Sequence, residues 1–452
     1  MGNRAAIILA AGQGTRMRSS LPKVMHQVGG RPMVDWSVAL ARAVGCSKII
    51  VVCSPMGEAV QAHIADTLGA DAIAIQDPPL GTGHAVLAAK PALADFDGDL
   101  VVLYGDTPLI PADAVEALFH ELEHGAGVGV LGFDAADPGA YGRLMTDPSG
   151  NLEAIVEAKE ATPEQLSVRF CNSGVMAASA RTMFDLLANV TNDNAKGEYY
   201  LTDIVGLARA AGQSCRAVAC DEADVLGVNS RIELAQAEHA FQTKTRLSFL
   251  AAGVTMTAPD TVYFSYDTDI ANDVILEPGV VFAPGVQVRS GSRIRAFSHL
   301  EDAHVAENCE IGPYARLRPG TVLERGVKIG NFVEVKKTRM GAGAKANHLS
   351  YLGDGDVGAG ANIGAGTIFC NYDGFLKYQT TIGENAFVGS NSALVAPVTI
   401  GAGAYVGSGS VITKDVDPDG LAVARGRQVQ KSGWATSFRD KMAAIKAAKK
   451  KG

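Results

Sequence analysis

Residues 382–412 read IGENAFVGSNSALVAPVTIGAGAYVGSGSVI, and an apolar residue returns at every sixth position of this stretch. Two earlier runs, 270–300 and 305–335, have the same spacing. The apolar positions are Ile270, Leu276, Phe282, Val288, Ile294 and Leu300, then Val305, Ile311, Leu317, Leu323, Ile329 and Val335, and finally Ile382, Val388, Leu394, Ile400, Val406 and Ile412. A period of six is the hexapeptide signature of a parallel β-helix. A glycine-rich β-sandwich is the alternative, but it would need this spacing to arise by accident in three separate runs.

The first half of the chain has a different pattern of apolar residues. Apolar strand-like runs at 5–10, 48–54, 70–76 and 100–104 alternate with amphipathic segments at 32–44, 57–68 and 83–93. This pattern is typical of an α/β layer with a mostly parallel sheet. Ligands bind beyond the carboxyl ends of such strands. The loop 11–23 and the dipeptide 105–106 follow two of these strands, so we expect a site there.

A charged, alanine-rich helix separates the two halves. Ser230 and Glu233 have capping-box spacing and predict a helix start, and the helical pattern continues to about Leu250. A chain of 452 residues is too long for one compact core. We therefore predict a first domain over 1–228, a linker helix over 229–250, and a second domain over 251–452.

Composition excludes several classes of protein. The net charge is −8, and the one basic cluster, 446–451, is interpreted as a solvated end, so nucleic acid is not an expected partner. Seven scattered cysteines without a Cys-x-x-Cys pair fit a reducing compartment better than a disulfide framework. The sequence has neither a signal segment nor an apolar stretch near 18 residues. We expect a cytoplasmic protein without a membrane contact.

The loop after the first strand suggests phosphate chemistry. Residues 9–17 read LAAGQGTRM and are followed by Pro22 and Lys23. Glycines let backbone N–H groups approach phosphate oxygens, and Arg16 and Lys23 add cations suited to a triphosphate. The loop is neither a Walker A sequence nor a dinucleotide fingerprint. A tight structural turn remains the alternative.

Two interruptions of the hexapeptide pattern are the candidate site of the second half. Segments 336–351 and 369–381 break the period and carry histidine, tyrosine, asparagine and lysine, which suit proton transfer and phosphate recognition. We expect the coils to extrude loops there. A lone histidine such as His348 is more often structural, and His299 and His304 are interpreted in that way.

The first half resembles sugar-nucleotide pyrophosphorylases. The family signature Gly-x-Gly-Thr-Arg-Met followed by Pro-Lys is matched at 12–17 and 22–23, and further matches are found at 76, 80–85, 103–106, 141–143, 156–157, 172–174, 197–200 and 227–229. Together with the hexapeptide region, nearly the whole chain is similar to the bacterial family of bifunctional N-acetylglucosamine-1-phosphate uridylyltransferase / glucosamine-1-phosphate N-acetyltransferase enzymes. The resemblance implies a Rossmann-like nucleotidyltransferase domain followed by a left-handed parallel β-helix.

The resemblance also implies roles for residues of the first half. Asp106 and Asn229 would hold Mg²⁺, while Arg16 and Lys23 would stabilise charge on the phosphates. The residues implied for binding UTP and the sugar are Leu9, Ala10, Gly12, Gly14, Lys23, Gln76, Gly81, Thr82, Tyr104, Gly142, Glu157, Asn172 and Asn229.

In the second half, the segments 347–353, 362–367 and 370–374 resemble the family's acetyltransferase signature. The resemblance makes His348 the general base that accepts the proton of the attacking amine. The residues implied for the amino sugar and its phosphate are Arg318, Lys336, Tyr351, Asn362 and Lys377. Those implied for acetyl-CoA are Ala365, Asn371, Tyr372, Ser390, Ser408 and Arg425.

These resemblances imply a bifunctional enzyme with two separate active sites. It would acetylate glucosamine-1-phosphate and then convert the product and UTP to UDP-N-acetylglucosamine, a precursor of cell-wall polymers. The family forms its acetyl-transfer site between subunits of a homotrimer, a state that the periodicity itself does not reveal. One alternative is a pyrophosphorylase for another sugar or nucleotide with a regulatory β-helix. Another is an assembly protein that kept both folds but lost catalysis.

Overall fold

The protein is described by a computed structural model that covers residues 2–194 and 196–449. The chain forms two compact units: Met1–Ala251 with Tyr263–Thr268, and Ala252–Val262 with Asp269–Gly452. The predicted functional boundaries at 228 and 250 stay a prediction. Of the predicted basic end, residues 450 and 451 lie outside the described part of the chain.

The first unit is built on a nine-stranded sheet. Its strands are β1 (Arg4–Leu9), β2 (Lys48–Cys53), β3 (Ile73–Ile75), β4 (Asp99–Tyr104), β5 (Val128–Asp134), β6 (Arg143–Thr146), β7 (Leu152–Val156), β8 (Phe170–Ser179) and β9 (Cys215–Cys220). The order is β9-β5-β8-β4-β1-β2-β3, with β6 paired to β8 and β7 paired to β6. All pairs along this order are parallel except those of β8, which runs antiparallel to both neighbours. The predicted mostly parallel sheet is confirmed.

Helices cover both faces of this sheet. They are α1 (Met33–Ala43), α2 (Glu58–Leu68), α3 (Thr82–Ala88), α4 (Ala112–Glu123), α5 (Pro163–Leu166), α6 (Ala180–Leu187), α7 (Asp203–Ala210) and α8 (Arg231–Ala251), and a short hairpin pairs Gln27–Val28 with Arg31–Pro32. Successive residues of β1 enter opposite cores: Ile7 lies in one hydrophobic cluster and Ile8 in the other. Because both faces of the sheet are buried, the sequences of its strands are apolar at successive positions. The predicted strand at 70–76 is shorter, because Ala70–Ala72 forms a 3-10 turn before β3.

The predicted capping box is half formed. The hydroxyl of Ser230 accepts a hydrogen bond from the Glu233 N–H at 3.3 Å. The Glu233 carboxylate, however, accepts from the N–H of Asn229 at 2.7 Å rather than from that of Ser230. Ala237 and Phe241 of α8 are buried in a cluster with Met17. The helix therefore packs onto the first unit along part of its length.

The second unit is a left-handed parallel β-helix of short strands. They are Thr255–Met256, Asp269–Ile270, Ile275–Leu276, Val281–Phe282, Gln287–Val288, Arg293–Ile294, His299–Leu300, Ala303–Val305, Glu310–Ile311, Arg316–Leu317, Thr321–Leu323, Lys328–Asn331, Glu334–Met340, Lys345–His348, Tyr351–Val357, Asn362–Ile363, Ile368–Cys370, Thr380–Ile382, Phe387–Val388, Ala393–Val395, Val398–Ile400, Tyr405–Val406, Val411–Ile412 and Leu421–Ala422. Every apolar residue of the three predicted period-six runs is buried. The six-residue period therefore indicates which side chain of each short strand points into the coil.

The two interruptions behave differently. Segment 336–351, predicted to extrude, stays in the ladder, because the long strand Glu334–Met340 pairs with both Arg316–Leu317 and Thr321–Leu323 and so absorbs the extra residues. Segment 372–378 does leave the coil, and Phe375 at its tip is 90% exposed. After the last coil, the described part of the chain ends in α9 (Trp434–Lys449). None of the helices in the described part of the chain combines the length and hydropathy needed to span a bilayer.

Candidate active sites

The two predicted loops of the first unit meet at one edge of the sheet. β1 and β4 are parallel neighbours, so their last residues, Leu9 and Tyr104, lie side by side. The N–H of Gly105 donates to the Leu9 carbonyl at 3.0 Å. A cavity of about 330 Å³ opens here. Nine predicted residues line it, and Glu198, which the sequence did not single out as a side chain, joins them: Leu9, Ala10, Gly12, Lys23, Gln76, Gly81, Thr82, Tyr104, Asp106 and Glu198.

The loop predicted to bind phosphate packs closely against one lysine, Lys23. Gly14 adopts a left-handed backbone, with φ of +60°, and a Cβ at this position would lie 2.5 Å from the Cβ of Lys23. Only glycine fits this approach. Arg16 is exposed on the 3-10 turn Thr15–Met17 and does not line the cavity. The loop therefore places Lys23 in the cavity lining and leaves Arg16 exposed outside it.

The ammonium of Lys23 bridges the two predicted metal ligands. It forms a salt bridge with the Asp106 carboxylate, and it donates to Oδ1 of Asn229 at 3.1 Å. The Val228 N–H donates to the Asp106 carbonyl at 2.9 Å, which fixes the two loops to each other. A carboxylate oxygen and an amide oxygen thus converge on a single cation. Hard oxygen donors of this kind, few in number and completed by substrate phosphates, suit Mg²⁺.

The segment predicted to bind uracil is held in place by three contacts. The buried side chain of Gln76 donates to the carbonyl of Gly81 at 2.9 Å. Gly81 has φ of +109°, and a Cβ there would lie 2.6 Å from the Tyr199 carbonyl oxygen. The hydroxyl of Thr82 accepts from the Leu201 N–H at 3.0 Å. These contacts tie the predicted uracil segment to the chain at 199–201 and fix its shape.

The three predicted sugar residues lie together next to Tyr104. The N–H of Asn172 donates to the Gly142 carbonyl at 2.8 Å, and a Cβ at Gly142 would lie 3.6 Å from Oε1 of Glu157. Gly174 approaches the Tyr104 ring so closely that a Cβ would come within 2.9 Å of it. Burial raises the pKa of the Tyr104 hydroxyl, and the nearby carboxylates Asp106 and Glu157 add to the effect.

The charged form of the Glu157 side chain destabilises the folded protein. Burial raises its pKa, opposed by Lys196 and reinforced by Glu160 and Asp203. A raised folded-state pKa means that the folded protein binds the proton more tightly than the unfolded chain does, so stability falls as pH rises through the window between the unfolded and folded pKa. Above that window the charged Glu157 side chain lowers the stability of the folded protein. Such a residue is a candidate for function rather than folding.

We expect Glu157→Gln to raise the thermal unfolding midpoint of the protein at neutral pH, because glutamine removes the buried charge. The same variant should bind N-acetylglucosamine-1-phosphate more weakly. The gain in midpoint should shrink as the pH is lowered below the usual carboxyl range, where wild-type Glu157 is itself protonated. Differential scanning fluorimetry over pH and a KM measurement test both parts. A lower midpoint at neutral pH would contradict this account.

In the second unit, the predicted amino-sugar residues fall into two groups. Nζ of Lys336 lies 3.3 Å from Oδ2 of Asp354, and Asn371 donates to the same oxygen. The amide of Asn371 also lies 3.5 Å from the Tyr351 hydroxyl. Lys377 adjoins Lys336, and the side-chain contact with Lys336, followed by the charge of Lys336, lowers the pKa of Lys377. The cluster is a concentration of positive charge around one carboxylate, as expected for a phosphate site.

Arg318 and Asn362 lie outside this cluster. Arg318 is on the coil beside it, with its N–H donating to Val335 at 2.8 Å and its guanidinium donating to Glu334 at 2.8 Å. Arg318 and Lys336 therefore lie on neighbouring coils. Asn362 belongs to the other sheet, in register with Lys345.

The predicted coenzyme A residues form a column. Ala365, Ser390 and Ser408 each follow a glycine whose N–H donates to the next coil at 2.8 Å, and Arg425 donates to the Ser408 carbonyl at 2.6 Å. A Cβ on Gly364 or on Gly389 would lie within 2.6 Å of the next coil's backbone. Glycine therefore keeps these positions stacked. Tyr372 is exposed on the extruded loop, where its backbone bridges to Lys377.

The structure adds two residues that the sequence did not single out. Asp354 occupies a corner with φ of +51° and holds Lys336 and Asn371. Asn331 accepts a hydrogen bond from the exposed His348 ring at 2.8 Å. Each looks like an ordinary turn or coil residue in the sequence, and only the spacing of 17 or 18 residues between neighbouring coils could have indicated these contacts.

We expect Lys336→Met to raise the KM for glucosamine-1-phosphate by about tenfold to a hundredfold, since a charge-assisted hydrogen bond contributes about 1.5–3 kcal/mol. The KM for acetyl-CoA and the rate of pyrophosphate release with UTP should not change. Steady-state kinetics with each substrate varied in turn would measure this. Lys414→Met, which alters an exposed lysine elsewhere in the second unit, is the matched control. An unchanged KM for the amino sugar would remove Lys336 from the phosphate site.

A larger cavity of about 700 Å³ lies against α8 and is lined mainly by apolar side chains, among them Phe241 and Leu247. It contains no predicted site residue, so we assign the first site to the smaller cavity at the strand ends. The described residues contain no cluster of three or more histidine, cysteine, aspartate or glutamate side chains suited to a metal. All seven cysteines are free thiols.

Comparison with known proteins agrees with both halves. Residues 6–203 match the MobA-like NTP transferase domain, and residues 302–337 and 379–414 match the bacterial transferase hexapeptide repeats. The chain is 65% identical over 446 residues to the bifunctional protein GlmU of Hyphomonas neptunium, covering 99% of this chain and 97% of the relative. It is 58% identical to that of Caulobacter vibrioides, covering 99% and 96%, and 54% identical to that of Sphingopyxis alaskensis, covering 99% of both chains.

Proposed function

The chain belongs to the GlmU family of bifunctional proteins, and from that premise we propose how its own residues divide the work. The protein is an acetyltransferase and a nucleotidyltransferase in one chain. It acetylates glucosamine-1-phosphate with acetyl-CoA, then transfers UMP from UTP to N-acetylglucosamine-1-phosphate and releases pyrophosphate. We assign uridylyl transfer to residues 1–228 and acetyl transfer to 251–452, with 229–250 as the linker.

Uridylyl transfer takes place at the strand ends of the first unit. A phosphate oxygen of N-acetylglucosamine-1-phosphate attacks the α-phosphorus of UTP, and pyrophosphate leaves. Such a reaction needs positioning and charge neutralisation more than a protein nucleophile. Gln76, Gly81 and Thr82 hold the base, while Gly142, Glu157 and Asn172 hold the sugar. The contacts that fix these segments to one another support the assignment.

The observation that best supports uridylyl transfer is the convergence of Asp106 and Asn229 on one cation, the Lys23 ammonium. We propose that these two oxygens hold Mg²⁺, which when bound would neutralise phosphate charge. With its two partners engaged in this way, Lys23 would contact the phosphates of UTP, and Arg16 would approach them from outside the cavity. Leu9 and Ala10 line the cavity beside the loop, and the backbone N–H groups of Gly12 and Gly14 complete the phosphate cradle.

Acetyl transfer takes place on the β-helix. His348 accepts the proton of the amine as the nitrogen attacks the thioester carbonyl, and coenzyme A leaves as the thiol. Lys336, Arg318 and Lys377 bind the sugar phosphate, and Tyr351 and Asn362 hold the sugar. Acetyl-CoA lies along Ala365, Ser390, Ser408 and Arg425, with Asn371 and Tyr372 beside it.

We further propose a cytoplasmic homotrimer. The extruded loop 372–378 with exposed Phe375, and the exposed apolar residues Trp434 and Phe438 of α9, are surfaces suited to a second copy of the chain. The free cysteines fit a reducing compartment.

A split assay on the purified protein tests the proposal. Acetyl-CoA consumption is followed with glucosamine-1-phosphate, and pyrophosphate release is followed with UTP, Mg²⁺ and N-acetylglucosamine-1-phosphate. Both signals are expected. Pyrophosphate release without acetyl-CoA consumption would reduce the β-helix to a scaffold and favour a single-function pyrophosphorylase.

A further inference from the structure

One side chain from the preceding coil contacts the His348 ring. Nδ1 of His348 lies 2.8 Å from Oδ1 of Asn331, and the two residues are register partners in adjacent parallel strands. The Leu349 N–H donates to the Asn331 carbonyl at 3.0 Å. A Cβ on Gly330 would lie 1.9 Å from the Asn347 carbonyl oxygen, so a glycine is required for the coils to approach this closely. The backbone therefore holds Asn331 against the histidine.

An amide oxygen can only accept a hydrogen bond, so Nδ1 of His348 must carry the proton in this contact. Nε2 of the neutral ring is then left with its lone pair, the form that a general base needs. We propose that Asn331 is a positioning residue for acetyl transfer, which selects this tautomer of His348 and fixes the direction of Nε2. The proposal rests on the proposed function, in which His348 is the base.

The carboxylates around the His348 ring are paired with other residues, so the Asn331 amide is the group that positions the ring. His348 lines a cavity of about 230 Å³ with three charged side chains. In that cavity the carboxylate of Glu310 is engaged by Arg295 and, at 3.5 Å, by Lys328. The other titratable groups on the histidine's own and following strands are Lys345, Tyr351, Asp354 and Asp356. Asp354 and Asp356 are themselves paired with Lys336 and Arg339.

Two substitutions at this position should have different effects. Asn331→Leu removes the acceptor and frees the ring, so kcat for acetyl transfer should fall by about tenfold or more, part of the roughly 10²- to 10⁴-fold that a positioned base contributes. The KM values for both substrates should change little. Asn331→Asp keeps an acceptor for Nδ1 and should retain kcat near its optimum pH. Its negative charge favours the imidazolium, so the acid limb of the pH–rate profile should move to higher pH.

The experiment is the pH–rate profile of the acetylation of glucosamine-1-phosphate by the full-length wild type, Asn331→Leu and Asn331→Asp. Pyrophosphate release and the unfolding midpoint verify folding, and Gln287→Leu, on a distant strand of the same unit, is the matched control. A fall in kcat for leucine together with a shifted acid limb for aspartate supports the proposal. Wild-type behaviour of both variants, or equal losses with an unshifted acid limb, overturns it. His348→Ala is assayed in parallel: if that variant acetylates normally, the base assignment itself has failed.

Discussion

Replacing Asp106 by alanine is expected to reduce pyrophosphate release by about a thousandfold, because the variant loses both a metal ligand and the counter-charge of Lys23. Asn229 alone offers one neutral oxygen, so the Mg²⁺ concentration needed for half-maximal rate should rise steeply. Acetyl-CoA consumption should stay at the wild-type level. Initial rates of pyrophosphate release over a Mg²⁺ titration measure the first effect, and the acetylation assay on the same sample measures the second.

Two further variants sharpen this test. Asp106→Asn keeps the oxygen but loses the charge, so its rate should lie between those of wild type and Asp106→Ala. Asp99→Asn changes an acidic residue at the opposite end of the same strand and should leave the Mg²⁺ dependence unchanged. A wild-type rate in Asp106→Ala would rule out the metal-ligand assignment.

The position of Lys23 shows where sequence reasoning reached its limit. The Gly-rich loop and Pro22-Lys23 predicted a cation at a phosphate site, and the structure places Lys23 in the cavity. Its partners, Asp106 and Asn229, are 83 and 206 residues away. A contact over such a separation depends on which strands are neighbours, and strand order is not written in local periodicity.

The β-helix could be predicted more completely, because its core repeats with a fixed period. Each apolar position of the three period-six runs, from Ile270 to Ile412, is buried as the period predicts. The 336–351 segment was predicted wrongly as an extruded loop, because a break in the period can also be absorbed by a longer strand that turns a corner. The role of Asp354 could not be predicted from the sequence, because aspartate is common at left-handed corners and nothing local distinguishes this one from a simple turn residue.

Replacing His348 by alanine is expected to reduce acetyl transfer by about 10²- to 10⁴-fold, the usual contribution of a general base. Uridylyl transfer should stay near the wild-type rate. His304→Ala, another exposed histidine of the β-helix, is the matched control and should keep both activities. The split assay reads both reactions in each variant. Loss of both activities in a folded His348→Ala protein would defeat the assignment.

The pH dependence of the residual rate distinguishes a lost base from a lost binding contact. Without His348, the amine must give its proton to water before it attacks the thioester. The residual rate should therefore keep rising with pH, as the free amine becomes more abundant, while the wild-type rate levels off once the histidine is neutral. A residual rate with the same pH dependence as the wild type would instead mean that His348 binds substrate, and that the proton leaves by another route.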